Sequence, residues 1–316
     1  MKSIYIKAIA VALCLLSIEV SNAQFIVKTK KIQKASLKSE VIYIQTKQLS
    51  EKQINYLQRS NTLDSVKARY ESENDFLVNL ISKNWNLSNT HTELSEKEIA
   101  LKIKNKEDVW YISLDKHTDR FFDRRVHKQV YYYNYSHYEL SLYNNKKEIV
   151  SIPLVDEQLS ELDLTFALNE LQNIVEDGNS FKNNRLYARE ANSNANSLKG
   201  KTLLISDKLT GYSQEYLQQF FVEQIAVVSD DEILKRVQEQ NKEYAYLLIT
   251  INDYLDKPSF NHLIIDCSSN QAILAYRNSS AVTKPCRHSC ISHHHTDKAE
   301  YLFGYHLKKY QKLIDS

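Results

Sequence analysis

Four glycines and three prolines in 316 residues leave few places for backbone that must take a positive φ or approach a ligand closely. The glycines are Gly178, Gly200, Gly211 and Gly304, all far apart in the chain. Phosphate-cradling loops need two or three clustered glycines at the start of a helix, so Walker loops and dinucleotide fingerprints are both excluded. The composition is otherwise globular, 42% hydrophobic and 25% charged, and the length suits one large domain or two ordinary ones. Lys and Arg number 41 against 39 Asp and Glu. That balance argues against a nucleic-acid partner, which calls for a basic excess. Tyrosine is abundant, at 21 residues.

Residues 1–23 read as a signal peptide. Lys2 and Lys7 supply the basic start, Ala8 to Leu16 the apolar stretch, and Ser21-Asn22-Ala23 the small residues that signal peptidase requires. The stretch is too short to anchor in a bilayer, and no later run is apolar enough to cross one. The expectation is an exported, soluble protein, periplasmic or extracellular, with no transmembrane anchor. Residues 24–40 read as a polar arm. Three cysteines follow the leader, Cys267, Cys286 and Cys290. An odd number in an oxidising compartment leaves open a free thiol, an interchain pair or metal ligation.

Hydrophobic periodicity then divides the chain into two cycles. In the first, 41–178, strands are expected at Val41–Gln45, Trp85–Leu87 and Val109–Leu114, and helices at Leu49–Leu57, Tyr70–Ile81 and Leu94–Ile103. Ser95 and Glu98 form a capping box on the last of these helices. A hairpin, Tyr131–Tyr143 with Glu148–Leu154, and a helix, Leu159–Val175, close the cycle. Residues 179–198, rich in Asn and Ser, read as a linker. The second cycle, 199–316, has strands at Thr202–Ser206, Ile225–Val228 and Tyr244–Ile251 and helices at Tyr212–Val222 and Asp230–Gln240. Ser229 and Glu232 stand as Ser95 and Glu98 do. A hairpin, His262–Cys267 with Ala272–Tyr276, and a closing helix, Asp297–Ile314, complete it. Asn105-Lys106-Glu107 and Asn241-Lys242-Glu243 each precede the third strand of their cycle.

The fold class expected is α/β. It comprises two similar mixed-sheet units of order β-α-β-α-β-β-β-α, packed with helices and related by tandem duplication, the first enlarged by about one helix between Arg59 and Ile81. This order, with the strand–capped helix–strand passage from Ile225 to Ile251 and the trailing hairpin, resembles the small α/β unit of the curli-secretion lipoprotein and of the TolB amino-terminal domain. The resemblance implies an assembly or binding module of the cell envelope, and assigns no residue a role.

Three constellations could carry chemistry. In Lys284–His295, two cysteines and four histidines lie within ten residues. Thiolate and imidazole are ligands for Zn or Cu. Cys286, Cys290, His293 and His295, with His288 as alternate, are the candidate metal ligands. A Cys286–Cys290 disulfide in a solvated loop is the competing reading. Second, the segment Lys116–Tyr143 interleaves basic and aromatic residues. Period-two alternation puts Tyr131, Tyr133, Tyr135, His137 and Tyr143 on one face and Tyr132, Tyr138, Leu140 and Leu142 on the other. The Leu-bearing side reads as core. The other face, with Arg124 and Arg125, then offers a tyrosine row to an envelope protein or glycan. Third, Gly211-Tyr212-Ser213-Gln214-Glu215 has the context of a nucleophile elbow but lacks its second glycine, so Ser213 reads as a helix cap. Asp163, Glu170 and Glu176 read as a solvated helix face. No catalytic residue is assigned. The first functional reading is a non-enzymatic binding or assembly protein using Arg124, Arg125, Tyr131, Tyr133 and Tyr135. Metal binding by the Cys/His loop is the second, and an enzyme of unrecognised type the third.

Overall fold

The computed structural model describes residues 41–88, 90–126, 129–155, 160–177, 184–254, 257–278, 302 and 304–316. The first sheet begins with β1 (Ile42–Thr46), followed by helices α1 (Glu51–Arg59) and α2 (Leu63–Asn84). Strand β2 (His91–Ser95), helix α3 (Glu96–Lys104), and strands β3 (Trp110–Val126), β4 (Gln129–Asn144) and β5 (Lys147–Leu154) come next. Helices α4 (Glu161–Asp177) and α5 (Asn184–Ser193) lead to the second sheet. Its elements are β6 (Thr202–Ser206), α6 (Gln214–Gln218), β7 (Ile225–Val228), α7 (Asp230–Gln238), β8 (Tyr244–Tyr254), β9 (Lys257–Asp266), β10 (Ala272–Asn278) and α8 (Gly304–Ile314).

The protein is α/β, with two mixed five-stranded sheets of matching order, β2-β1-β3-β4-β5 and β7-β6-β8-β9-β10. In each, the first three strands are parallel and the last two antiparallel. The chain steps from β1 out to β2, then back past β1 to β3. Right-handed crossovers in opposite directions place their helices on opposite faces. Accordingly α2 buries Leu77, Leu80 and Ile81 with Ile42, Ile44 and Ile112, whereas Ile99 and Ile103 of α3 border the other face beside Tyr111 and Ser113. In the second sheet α6 and α8 pack on the face of Leu203, Ile205 and Ile264. Helix α7 packs with Leu204, Tyr246 and Leu248 on the opposite face.

The serine caps are where the sequence places them, the first as a full capping box. Ser95 Oγ accepts from Glu98 N while the Glu98 carboxylate accepts from Ser95 N; Ser229 Oγ accepts from Glu232 N. The helices close on residues with left-handed backbone, Lys106 and Gln240. With glycine so scarce, Asn61, Asn145 and Asn270 take the same conformation, as asparagine does more readily than most residues. The matching cap serines, closing residues and first paired residues of β3 and β8, Trp110 and Tyr244, correspond at one constant spacing. On that spacing Asn105-Lys106-Glu107 falls on Glu239-Gln240-Asn241, so the two Asn-Lys-Glu triplets are out of register.

Three differences from the sequence reading have physical causes. Trp85–Leu87 is not a strand; Trp85 and Leu87 are apolar plugs of the core, and β2 forms instead at His91–Ser95 by parallel pairing with β1. Residues 184–198, within the stretch read as a linker, form α5 and a 3-10 turn. Tyr187, Ala191, Ala195 and Leu198 are buried there, and Asn192 Oδ1 accepts from Ala275 N on the edge strand β10, covering an edge that would otherwise be open. Finally, Glu170 does not lie on a solvated face. Helix α4 is buried nearly all round, from Leu162 to Val175, in a core that also holds Leu204, Tyr246, Leu263 and Ala275 of the second sheet. Glu170 is 4% exposed, and its charge, after burial, helps hold the Tyr187 phenol well above its ordinary pKa. Asp163 accepts from Ser160 Oγ at 2.7 Å, while Glu176 is exposed.

Helix α8 closes the second sheet. It brings His306 and Tyr310 against His262 and Tyr276, and the His262 and His306 ring centroids are 4.5 Å apart. His262 Nδ1 and the Tyr310 hydroxyl are hydrogen-bonded. At its first residue, Gly304, a Cβ would meet the Phe220 ring. Gly304→Ala is expected to cost about 1–3 kcal/mol, the usual penalty of overpacking, read as a lower thermal midpoint for the purified chain. An unchanged midpoint would mean that α8 does not sit so close.

Candidate functional site

One face of the first sheet is apolar and the other polar, and the polar one is left partly open. Leu140 and Leu142 are fully buried and Tyr138 is nearly so, as alternation predicts for the Leu-bearing side of β4. The opposite side of β3 and β4 carries four facing pairs in register: Tyr111 and Tyr143, Ser113 and Ser141, Asp115 and Glu139, and His117 and His137. Helix α3, two and a half turns long, covers this face toward β1. A cleft of about 330 Å³ lies beside it, bordered by Glu96, Ile99, Tyr111, Asp115, Tyr143 and Lys146.

The first pair forms an aromatic platform. The Tyr111 and Tyr143 rings stack with centroids 4.8 Å apart and planes within 5°. Burial, then the charges of Asp115 and Glu96, push the Tyr111 phenol up to about 12; burial and Glu148 push Tyr143 higher still. Both remain neutral hydrogen-bonding groups across the physiological range. Ser113 Oγ donates to Asp115 Oδ2 at 2.7 Å. Next along the strands, Glu139 stands between two imidazoles. Its Oε1 is 3.4 Å from His137 Nε2 and its Oε2 is 3.5 Å from His117 Nε2. The two rings stack at 5.6 Å. His137 is 3% exposed, not solvent-facing as the alternation alone implied, because the ring of His117 and the carboxylate of Glu139 close over it.

Beyond this point the two strands leave the sheet. Pairing with β1 ends at Ile112, and pairing with β5 reaches Tyr138. From His117 and His137 outward, β3 and β4 pair with each other as far as Val126 and Gln129, with one irregularity between Phe122 and Arg124. Among the described residues no third strand pairs with either edge there. At roughly 3.3 Å per residue the ribbon is about 30 Å long. The residues singled out from sequence lie along it, with Asp119 paired with Tyr135 near the base, Phe121 with Tyr133 further out, and Arg124 with Tyr131 and Arg125 with Val130 toward the tip. Sequence reading placed Tyr131–Tyr143 on a strand, which is β4. It missed that Lys116–Val126 is the strand facing it, because a run with seven charged or His residues in eleven positions gives no alternation to read.

Ser213 is a helix cap, its Oγ accepting from Tyr216 N at 3.3 Å. The candidate ligands Cys286, His288, Cys290, His293 and His295 lie outside the described residues. Cys267 is a free, buried thiol, pushed up to about 12 by burial and by Asp266. It borders a second cleft, of about 620 Å³, lined mainly by carboxamides, Asn84, Asn169, Asn173, Gln238 and Asn270 among them. Among the described residues no helix is long and apolar enough to cross a membrane, and no three Cys, His, Asp or Glu side chains form a ready-made metal centre. Comparison with family models, with curated proteins and with solved structures found no match to this chain.

Proposed function

We propose that this chain is a non-enzymatic binding or assembly protein of the bacterial cell envelope, exported by its leader, that takes an envelope partner on the β3–β4 ribbon. The observation that carries the reading is a two-stranded ribbon running about 30 Å past its flanking strands. Two strands alone bury too little apolar surface to be firmly held together in water. Among the described residues no strand satisfies the backbone N–H and C=O groups along their edges, and a third strand would do so. A protein segment therefore suits this surface better than a glycan: it can add a strand to the edge while its side chains meet the tyrosines. Arg124, Arg125, Tyr131, Tyr133 and Tyr135 are the contact residues, tyrosine supplying large rigid faces at low entropic cost.

The test is cross-linking in intact cells, with the captured protein identified by mass spectrometry. Tyr133→Ser combined with Tyr135→Ser is expected to reduce capture of that protein at least about tenfold, the effect of losing central aromatic contacts. The thermal midpoint should stay near that of the parent, because the paired strands there are joined to no other strand among the described residues. Undiminished capture of the same protein would overturn this surface.

A further inference from the structure

We propose that Asp115, His117, His137 and Glu139 bind one divalent first-row transition-metal ion at the root of the ribbon. The strands put the four side chains at the corners of a square on one face. Asp115 faces Glu139 and His117 faces His137 across the ladder, and within each strand the acid and the histidine are two residues apart. Directly opposed residues have Cβ atoms about 4.5–5.5 Å apart, and residues i and i+2 share a face. Four ligands on two adjacent strands can thus reach one point between them by side-chain rotation alone.

The chemistry of the set selects the ion. Two imidazoles favour Zn, Ni, Cu or Fe over Mg or Ca, and two carboxylates add hard oxygen donors that neutralise a divalent charge. As they stand, no three of these side chains are gathered closely enough to hold an ion. Instead the Glu139 carboxylate bridges the Nε2 atoms of both rings, at 3.4 and 3.5 Å. An ion bound there needs metal–ligand distances of about 2.0–2.2 Å, so it would take over the place of those contacts, with Glu139 turning to become a ligand. Asp115 is turned back along its strand, accepting from Ser113 Oγ, so it joins the set by swinging toward His117, after which Ser113 remains within reach as an outer contact of the kind that fixes metal-binding carboxylates. Access is open from one side: the His117 side chain is 46% exposed, while those of His137 and Glu139 are 4% and 18% exposed. A bound ion would tie β3 to β4 where the flanking strands stop, stiffening the ribbon at its base. The set includes none of the Cys/His-loop residues and does not depend on the partner proposed above.

Cobalt(II) is the probe, because its spectrum distinguishes the two ligand types. Chelator-treated, purified chain titrated with Co²⁺ is expected to develop visible bands of a nitrogen–oxygen site without a thiolate charge-transfer band. His117→Ala, at the exposed corner, and the near-isosteric Glu139→Gln should each weaken binding at least tenfold, with far-UV circular dichroism unchanged. Cys286→Ser with Cys290→Ser should leave these bands as they are. An equal concentration of Ca²⁺ should not compete. Absence of the bands overturns the proposal, as does their persistence at full affinity in both His117→Ala and Glu139→Gln, or their loss in the double cysteine variant.

Discussion

Replacing Phe166 by alanine is expected to lower the free energy of unfolding by about 3–5 kcal/mol, the range for emptying a buried aromatic site. The side chain is 2% exposed and lies midway along α4, inside a core that joins Ile112 and Leu140 of the first sheet to Leu204 and Tyr246 of the second. A cavity there removes contacts from both sheets at once, and neither can collapse to fill it without disturbing the other. The loss should therefore appear in a single cooperative transition. Both tryptophans, Trp85 and Trp110, are buried on the side of the first sheet, so their fluorescence follows that sheet, whereas far-UV circular dichroism follows both. In urea the two signals should coincide in the parent chain and shift together in Phe166→Ala. If fluorescence and circular dichroism separate, or the loss is below about 1 kcal/mol, the sheets do not share a core as described.

The second large effect is acid sensitivity from the histidines beneath α8. Burial holds His306 down at about 4. Burial and then the charge of His306 hold His262 well below its ordinary value. The groups facing them are neutral phenols, Tyr276, Tyr305 and Tyr310, of which Tyr276 and Tyr310 are themselves held above their ordinary pKa. In the unfolded chain a histidine takes up its proton near pH 6.5. Between that pH and about 4 the unfolded state therefore binds more protons than the native one, and stability falls as the pH falls. Each pH unit in this window is worth about 1.4 kcal/mol per histidine. His306 alone thus removes about 3 kcal/mol between pH 6.5 and 4, and His262 adds to it. Above pH 7 the contribution is fully present; below about 4 the loss from His306 is complete. Urea unfolding at half-unit pH steps should show this slope. His306→Gln should flatten it while leaving the slope due to carboxylates in place. Equal slopes in parent and variant would mean that His306 is protonated as readily in the folded state as in the unfolded.

How much of this could be read in advance depends on how local the cause is. Ser95 with Glu98 and Ser229 with Glu232 are signals contained within four residues, and both serines cap their helices as read, although the first helix starts at Glu96 rather than Leu94. Leu140 and Leu142 alternate with polar residues, and their side of β4 is the core. The element order gave two mixed sheets covered by helices, since parallel neighbours need crossovers, but not that β1 and β6 lie inside the parallel set. Strand β2, with the sequence His-Thr-Glu-Leu-Ser, has no such signal; its partner β1 makes it a strand. Residues 184–198 read as a linker because Asn and Ser predominate, yet Tyr187, Ala191, Ala195 and Leu198 suffice to pack them on β10.

The candidate site divides in the same way. Sequence alone gave the two mixed sheets, the capped helices and the Leu-bearing core face of β4, because each depends on residues a few positions apart. Only the tertiary structure decided that Glu170 is enclosed between the sheets, that β3 continues through its charged run to form the ribbon, and that Asp115 and His117 stand opposite Glu139 and His137. Those outcomes depend on register between strands and on which surface arrives to cover a helix, and both are set by contacts between residues far apart in the chain.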